Sequence, residues 1–319
     1  MMSDADTTRL PGGIAIPASL IQNVRTWNAD ELTPGWLENL PRNVAALCDK
    51  WQITLNPTLP VSTITLVVLG DSEILGPVVI KSSPLADEFR SEATALRIAG
   101  GGNVSKLHDV DFDQSIMVVE QIQPGTPLKH FNLDDDIATR LAAETVQTFW
   151  REVEDPTGLT SLRPWCRALL EWKSDERAIP DHLIARAQQV ANRCLDNQTR
   201  FVLLHGDFHH DNLLRRGDND WAIIDPKGLI GDPAFEVVTW MWNPMGIAKH
   251  PDYAAVLSRR IDIFSEVWGR ERSTLVEWAF FGAVLSLCWY GHSQPSEGRD
   301  GMFHTVAAME SLLNAQQAG

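Results

Sequence analysis

The stretch His205-Gly206-Asp207-Phe208-His209-His210-Asp211-Asn212, followed by Ile223-Ile224-Asp225, decides how this chain is read. It sets out an Asp, an Asn five residues later, and a second Asp beyond an apolar run. Phosphoryl transfer from a nucleotide needs that inventory. One carboxylate must orient and deprotonate a hydroxyl, while an amide and a second carboxylate hold Mg2+ against the phosphates. The flanking residues supply a scaffold. Phe201-Val202-Leu203-Leu204 reads as a short strand entering the loop. Leu213-Leu214 and Trp221-Ala222-Ile223-Ile224 read as a hairpin around the polar stretch Arg215 to Asp220. Such a hairpin folds Asp225 back beside Asp207 and Asn212.

A second chemistry fits the same cluster. His205, Asp207, His209 and His210 could ligate a hydrolytic metal, since His and Asp are common ligands. A His-Glu-x-x-His pair is absent from the chain. A nucleotide-binding protein without turnover is a third possibility. The phosphotransfer reading makes a demand that the metal reading does not: a strand Lys far upstream, paired with a Glu on the next helix.

Val78-Val79-Ile80-Lys81 is an apolar strand ending in Lys, and Leu85 to Ile98 reads as a helix with Phe89, Ala93 and Leu96 on one side. Glu88 and Glu92 lie one turn apart on that helix. Glu92 is the expected partner of Lys81, with Glu88 in reserve. Further on, Val104 to Val110 and Ser115 to Val119 read as strands, and Glu120-Gln121-Ile122 precedes the connector Gln123-Pro124-Gly125-Thr126-Pro127. Main-chain groups of Glu120 and Ile122 could meet an adenine edge there; an ordinary strand exit is the alternative.

These segments together resemble the streptomycin 6-kinase and hydroxyurea phosphotransferase family, within the aminoglycoside phosphotransferase superfamily. The likeness is carried by Leu204 to Leu214, by Ile223-Ile224-Asp225-Pro226-Lys227-Gly228 running on to Asp232-Pro233-Ala234-Phe235-Glu236, by Glu92 to Leu96, and by Glu120 to Gly125. It also includes Trp278 to Trp289 and extends from about Trp36 to Leu313. The resemblance implies a protein-kinase-like, bilobal α+β fold, with an N-terminal antiparallel sheet lobe and a helical C-terminal lobe. It implies ATP, or GTP, with Mg2+. Lys81, steadied by Glu92, would bind the α- and β-phosphates. Asn212 and Asp225 would hold the metal, and Asp207 would be the base. His205 would shape the loop, and Lys227 could add positive charge near the transferred phosphate. The acceptor would be an aminoglycoside or a small hydroxyl compound such as hydroxyurea. Asp207 and Glu236 are the carboxylates expected to face it, the alternative for Glu236 being that it caps or braces the helix after Asp232-Pro233.

Departures from protein kinases narrow this. Gly206 stands where they carry Arg, and Asp225-Pro226-Lys227 stands where they carry Asp-Phe-Gly. Asp232-Pro233 follows too closely on Asp225 for a long activation segment, so a peptide acceptor has no platform. The turn Leu69-Gly70-Asp71-Ser72-Glu73-Ile74-Leu75-Gly76 lacks the Gly-x-Gly-x-x-Gly pattern.

Composition agrees with an intracellular enzyme, expected in the cytoplasm. A chain of 319 residues buries a large core and is expected to form two domains. Residues 1–122 are read as the nucleotide lobe, with 1–11 lacking fixed structure. Residues 123–319 are read as the helical lobe that carries the catalytic loop and the acceptor pocket. Cys48, Cys166, Cys194 and Cys288 are scattered, which argues against disulfides and structural zinc. The acidic start, Met1 to Asp6, is no secretory signal. The apolar run Trp278 to Tyr290 falls short of a bilayer span and reads as a buried helix. A net charge of −15 disfavours nucleic acid and anionic membrane as partners and suits a cationic substrate.

Periodicity completes the layout. Pro17 to Asp49 reads as helical, with Trp36, Leu40, Val44 and Leu47 recurring at helical spacing. Strands are expected at Thr63–Leu69 and Val78–Lys81, ahead of the two already named. Helices are expected over Leu133–Trp150, Leu162–Trp172, Pro180–Asp196, Ala234–Met241, Tyr253–Trp268, Ser273–Trp289 and Gly301–Ala315. Of the twelve Trp, Trp240, Trp242 and Trp289 lie where they could line an acceptor pocket or simply pack.

Overall fold

A computed structural model describes residues 9–57, 63–173, 179–290 and 297–317. By packing they form two compact units. One runs to Gly125 and takes in Arg216–Ala222; the other holds Thr126–Arg215 and the chain from Ile223 onward. The sequence reading divided the chain once, at residue 122. Of the start expected to lack structure, residues 1–8 lie outside the described residues. Arg9 bridges to Ala15, and Leu10 is buried.

In the first unit, α1 (Ala18–Thr26) and α2 (Trp36–Trp51) replace the single helical stretch expected over Pro17–Asp49. The break falls where the Asn28 side chain accepts the Asp30 N–H at 3.3 Å and opens a short 3-10 turn. An Asn that captures a nearby backbone donor favours a turn over helix continuation. α2 buries Trp36, Leu40, Val44 and Leu47 as one stripe. The stripe packs with Ile53 of β1 (Ile53–Leu55), Leu66 and Val68 of β2 (Leu66–Ser72), and Val78 and Ile80 of β3 (Gly76–Ser82). The Trp36 indole N–H donates to Ser82 Oγ at 2.9 Å. After β3 come α3 (Ala86–Ala99), β4 (Leu107–Asp111) and β5 (Ile116–Glu120). The five strands form one antiparallel sheet in the order β1-β2-β3-β5-β4. Alternation along β3 buries Val78, Ile80 and Ser82 and turns Val79 and Lys81 to the other face. That parity keeps the Lys81 ammonium out of the apolar layer.

β6 (Pro124–Pro127) leads on to α4 (Asp135–Gln147). Then follow β7 (Thr160–Ser161), α5 (Leu162–Trp165), α6 (Arg167–Leu170) and α7 (Asp181–Asp196). β8 (Val202–Leu204) enters the motif, β9 (Leu213–Arg216) and β10 (Asp220–Ile223) form the expected hairpin, and β11 (Leu229–Gly231) pairs antiparallel with β8 and parallel with β7. The chain ends in α8 (Val237–Trp240), α9 (Tyr253–Trp268), α10 (Arg272–Tyr290) and α11 (Glu297–Gln317).

α10 is the centre of the second unit. It is apolar on all sides and packs against α7, α8, α9 and α11. At 19 residues it is longer than the apolar run suggested and is long and apolar enough to cross a membrane, yet 72% of its most apolar 18-residue window is buried within the protein. Gly282 lets it approach α8 closely: a Cβ there would lie 2.5 Å from Val238. α9 carries a fully buried Arg260. Its guanidinium donates to both Asp135 carboxylate oxygens at 3.0 and 2.6 Å, and to the carbonyls of Trp240 and Asn243 at 2.5 and 2.8 Å. A buried charge is tolerated when paired and hydrogen-bonded in this way.

Candidate active site

β8 delivers the chain to His205, which is fully buried. Its Nδ1 accepts the Asp207 N–H at 3.1 Å, so the ring proton sits on Nε2, which donates to the Ile224 carbonyl at 2.8 Å. Burial pushes this imidazole down to about 4, so it stays neutral. Gly206 follows with φ 77°, and a Cβ there would lie 2.5 Å from Leu229 of β11. The tight turn and the closeness of β11 both require glycine at this point.

Two further bonds set Asn212 and the chain leading to Asp225. The Asn212 amide nitrogen donates to the Asp207 carbonyl at 2.9 Å, and the Ile224 N–H donates to the Asn212 carbonyl at 3.0 Å. The first fixes which way the amide points, with its nitrogen turned back into the loop. The second, with the His205 bond, holds the chain just before Asp225 against the loop. Asp225 itself is exposed and adopts φ 57°, and it lies near enough to His205 to act on its charge.

The Asp207 carboxylate is one-third exposed. His209 Nε2 lies 3.8 Å from one of its oxygens and Lys227 Nζ 3.9 Å from the other. Lys227 is held in place by its own N–H, which donates to the His205 carbonyl at 2.7 Å. Beneath the loop, Thr239 Oγ1 donates to the Phe208 carbonyl at 2.7 Å, and the His210 ring stacks 3.9 Å from Trp240. Trp240 is fully buried and its indole N–H reaches Thr139 Oγ1 at 3.1 Å, so it packs and lines no pocket.

Glu236 corrects one expectation. It was read as a carboxylate facing the acceptor. Instead it is 1% exposed, and its two oxygens accept the N–H groups of His205 at 2.5 Å and Gly206 at 3.1 Å. Burial pushes its carboxyl up to about 7, against the pull of those two donors. It braces the residues before Asp207 and is closed to a ligand.

The alternative of a hydrolytic metal is also corrected. Both ring nitrogens of His205 are committed, and His210 is buried against Trp240 with its pKa pushed down by burial. Among the described residues no group of three or more His, Cys, Asp or Glu is placed to hold a metal ion. Mg2+ asks less of a protein, needing one or two oxygens alongside phosphate and water. The Asn212 amide oxygen and the exposed Asp225 carboxylate fit that demand.

In the first unit, Lys81 Nζ and Glu92 Oε1 are 2.6 Å apart, both mostly buried, while Glu88 is exposed. The Glu120 N–H donates to the Lys106 carbonyl at 2.8 Å and its own carbonyl accepts Ser105 Oγ at 2.8 Å. Its side chain pairs with Arg216 at 2.8 Å. Glu120 is therefore committed to structure, against the expectation that it meets an adenine edge. Ile122 makes no main-chain hydrogen bond among the described residues. The turn after Ser72 is no phosphate cradle. The Glu73 N–H donates to the Gln52 carbonyl at 3.2 Å, and Ile74 and Leu75 donate to Ser72 Oγ at 3.2 and 3.0 Å.

The profile of the aminoglycoside/hydroxyurea antibiotic resistance kinases matches residues 51–293. The chain belongs to that family. It is 27% identical to streptomycin 6-kinase of Streptomyces glaucescens over 267 residues, covering 80% of this chain and 84% of the relative. It is 25% identical to hydroxyurea phosphotransferase of Kitasatospora aureofaciens over 293 residues, covering 88% and 82%. Solved structures share the fold. Plasmodium vivax ethanolamine kinase superposes with a TM-score of 0.62 at 10% identity, covering 98% of this chain and 99% of that one. Aminoglycoside phosphotransferase APH(4)-Ia gives 0.56 at 16% identity, covering 84% and 97%. This kinase thus has the protein-kinase-like α+β fold expected from its sequence, and it is a small-molecule phosphotransferase acting on hydroxyl groups.

Sequence reasoning missed two residues that build the loop's seat, Thr239 and Arg260, while the packing alternative for Trp240 holds. For Arg260 a signal existed. Leu257, Arg260, Ile261 and Phe264 share one helical face, and a lone Arg on such an apolar face needs a buried partner.

Proposed function

We propose that this kinase transfers the γ-phosphoryl group of ATP to a hydroxyl of an aminoglycoside of the streptomycin type, in the cytoplasm. The observation that carries this reading is the loop geometry around Asp207. Its carboxylate is open to a ligand while its main chain is fixed from both sides by His205 and Asn212. Asp207 orients the acceptor hydroxyl and takes its proton as oxygen bonds to phosphorus and the bridge to ADP breaks. Asn212 and Asp225 would hold Mg2+, which would supply positive charge against the phosphates. Lys81, kept in place by Glu92, binds the α- and β-phosphates. The main chain of Ile122 takes the adenine edge, and Lys227 adds positive charge beside Asp207.

A direct test incubates the protein with MgATP and streptomycin or hydroxyurea, and follows ADP release together with the mass of the acceptor. A gain of one phosphoryl group on streptomycin that needs Mg2+ supports the reading. ADP release without a phosphorylated product, or no response to any purine nucleotide, would refute it.

A further inference from the structure

Arg216 ends β9, in the turn of the hairpin that returns Asp225, and its side chain is mostly buried. One arm of the guanidinium, Nη2, pairs with Glu120 Oε2 at 2.8 Å. The other, Nη1, donates to the Gly102 carbonyl. The same Glu120 oxygen accepts the Lys106 N–H at 3.2 Å. The next residue adds a third grip: the Gly217 N–H donates to the Gln123 carbonyl at 2.8 Å. Arg216 and Gly217 pack with the first unit, to which all these partners belong.

Two segments are held in this way. The first surrounds Ile122. Glu120 lies two residues before it and Gln123 one after, and the Gln121 N–H donates to the Pro77 carbonyl of β3 at 3.1 Å. The peptide groups on both sides of Ile122 are therefore fastened. Ile122 itself is 4% exposed, and its own main-chain groups carry no hydrogen bond among the described residues. Buried main-chain groups without a partner are rare, and these are kept in place by their neighbours. The second segment is the end of α3. Gly100, Gly101 and Gly102 follow the helix with φ of 72°, 88° and 73°. Glycine loses more freedom than any other residue when it is fixed, so such a run needs an outside tie. Arg216 supplies it at Gly102, and the helix behind that run carries Glu92, the partner of Lys81.

We propose that Arg216 is a positioning residue of the nucleotide site, acting through Ile122 and Glu92 and not on the phosphates. The proposal rests on the kinase reading above. With the Ile122 edge and the end of α3 fixed beforehand, ATP binding does not bear the cost of ordering them. An exposed ion pair would matter little. This one is partly buried, and a planar fork serves two acceptors at once, which a Lys ammonium does not.

The test measures the KM for ATP, the KM for streptomycin, the MgATP thermal shift and the urea midpoint on wild type, Arg216→Met, Arg216→Lys and Glu120→Gln. Arg216→Met keeps the reach of the side chain and removes the fork. It should raise the KM for ATP about ten-fold and shrink the thermal shift, with the KM for streptomycin within about two-fold of wild type. Arg216→Lys keeps the charge and one acceptor, and should fall between. Glu120→Gln keeps a carbonyl for Arg216 and Lys106, and should show the smallest rise. An ATP KM at the wild-type value in Arg216→Met, whatever its urea midpoint, leaves Arg216 a structural role alone and overturns the proposal. Should Arg216→Met not fold, Arg216→Lys decides by the same measure. Equal rises in both KM values also overturn it, because the damage would not be confined to the nucleotide. A wild type that binds MgATP but phosphorylates no streptomycin sinks the choice of acceptor only; an undiminished thermal shift in Arg216→Met then overturns the proposal. A wild type with no MgATP shift sinks the kinase reading and the proposal together.

Discussion

Asp207 and Glu236 serve the same loop in different ways, one exposed to a ligand and one buried beneath the backbone, and substitution should separate them. Asp207→Asn keeps the shape of the loop, because the loop's bonds run through the Asp207 main chain and not its carboxylate. It should lower kcat by roughly 10²–10⁴-fold, the usual range for loss of a positioned base, with the MgATP thermal shift retained. Near wild-type turnover would remove Asp207 from the chemistry. Glu236 should act on stability, with a definite pH sign. Burial pushes its carboxyl up to about 7, so its contribution to stability is full below the ordinary value of 4.5 and is lost as pH rises through about 7. His205 runs the other way. Burial pushes it down to about 4, so its contribution is full above 6.5 and is lost as pH falls. The wild-type curve mixes the two. The difference in unfolding free energy between wild type and Glu236→Gln isolates the carboxyl. The Gln variant's deficit should grow as the pH falls from about 8 to about 5, by up to roughly 3 kcal/mol at 1.36 kcal/mol per pKa unit. A flat difference curve from urea titrations would mean that Glu236 stays ionised throughout.

At the scale of elements, the seat of the loop is a helix contact. α8 carries Thr239 and Trp240 beneath the motif, and α10 presses on α8 at Gly282, where a Cβ would lie 2.5 Å from Val238. Gly282→Ala should overpack this contact and cost roughly 1–3 kcal/mol in a urea titration. Turnover should drop even where the variant is folded, because Phe208 and His210 rest on the displaced helix. An unchanged urea midpoint would show that α8 yields freely. The same scale explains what could be read beforehand. The motif was legible because its spacing is local: the strand into His205, the hairpin that returns Asp225, and the parity that turns Lys81 from the core are set by neighbours in sequence. What escaped depends on distant partners or short elements. β1 and β7 are three and two residues long and exist only through pairing. The expected helix over Leu162–Trp172 splits into α5 and α6, each of four residues, meeting at Cys166. Glu236 looked like a free acid because nothing local shows that its oxygens meet the N–H groups of residues some thirty positions earlier.

At the scale of the whole molecule, charge bears on the acceptor. The protein carries −15, and streptomycin is a cation, so encounter and binding should both be favoured by the protein's field. Field and local contact respond differently to salt. Exposed charges more than about 10 Å apart are largely screened at 0.1 M salt, whereas an ion pair in a partly enclosed pocket is screened less. The KM for streptomycin should therefore rise steeply at low ionic strength and then more slowly, as the long-range part is removed first. Hydroxyurea, being neutral, should show almost no trend, and it serves as the control for salt effects on turnover itself. Kinetics across about 20–500 mM NaCl decide the point. A streptomycin KM indifferent to salt would mean that the acidic surface serves hydration alone and that the acceptor is held by its ring and hydroxyls, without help from charge.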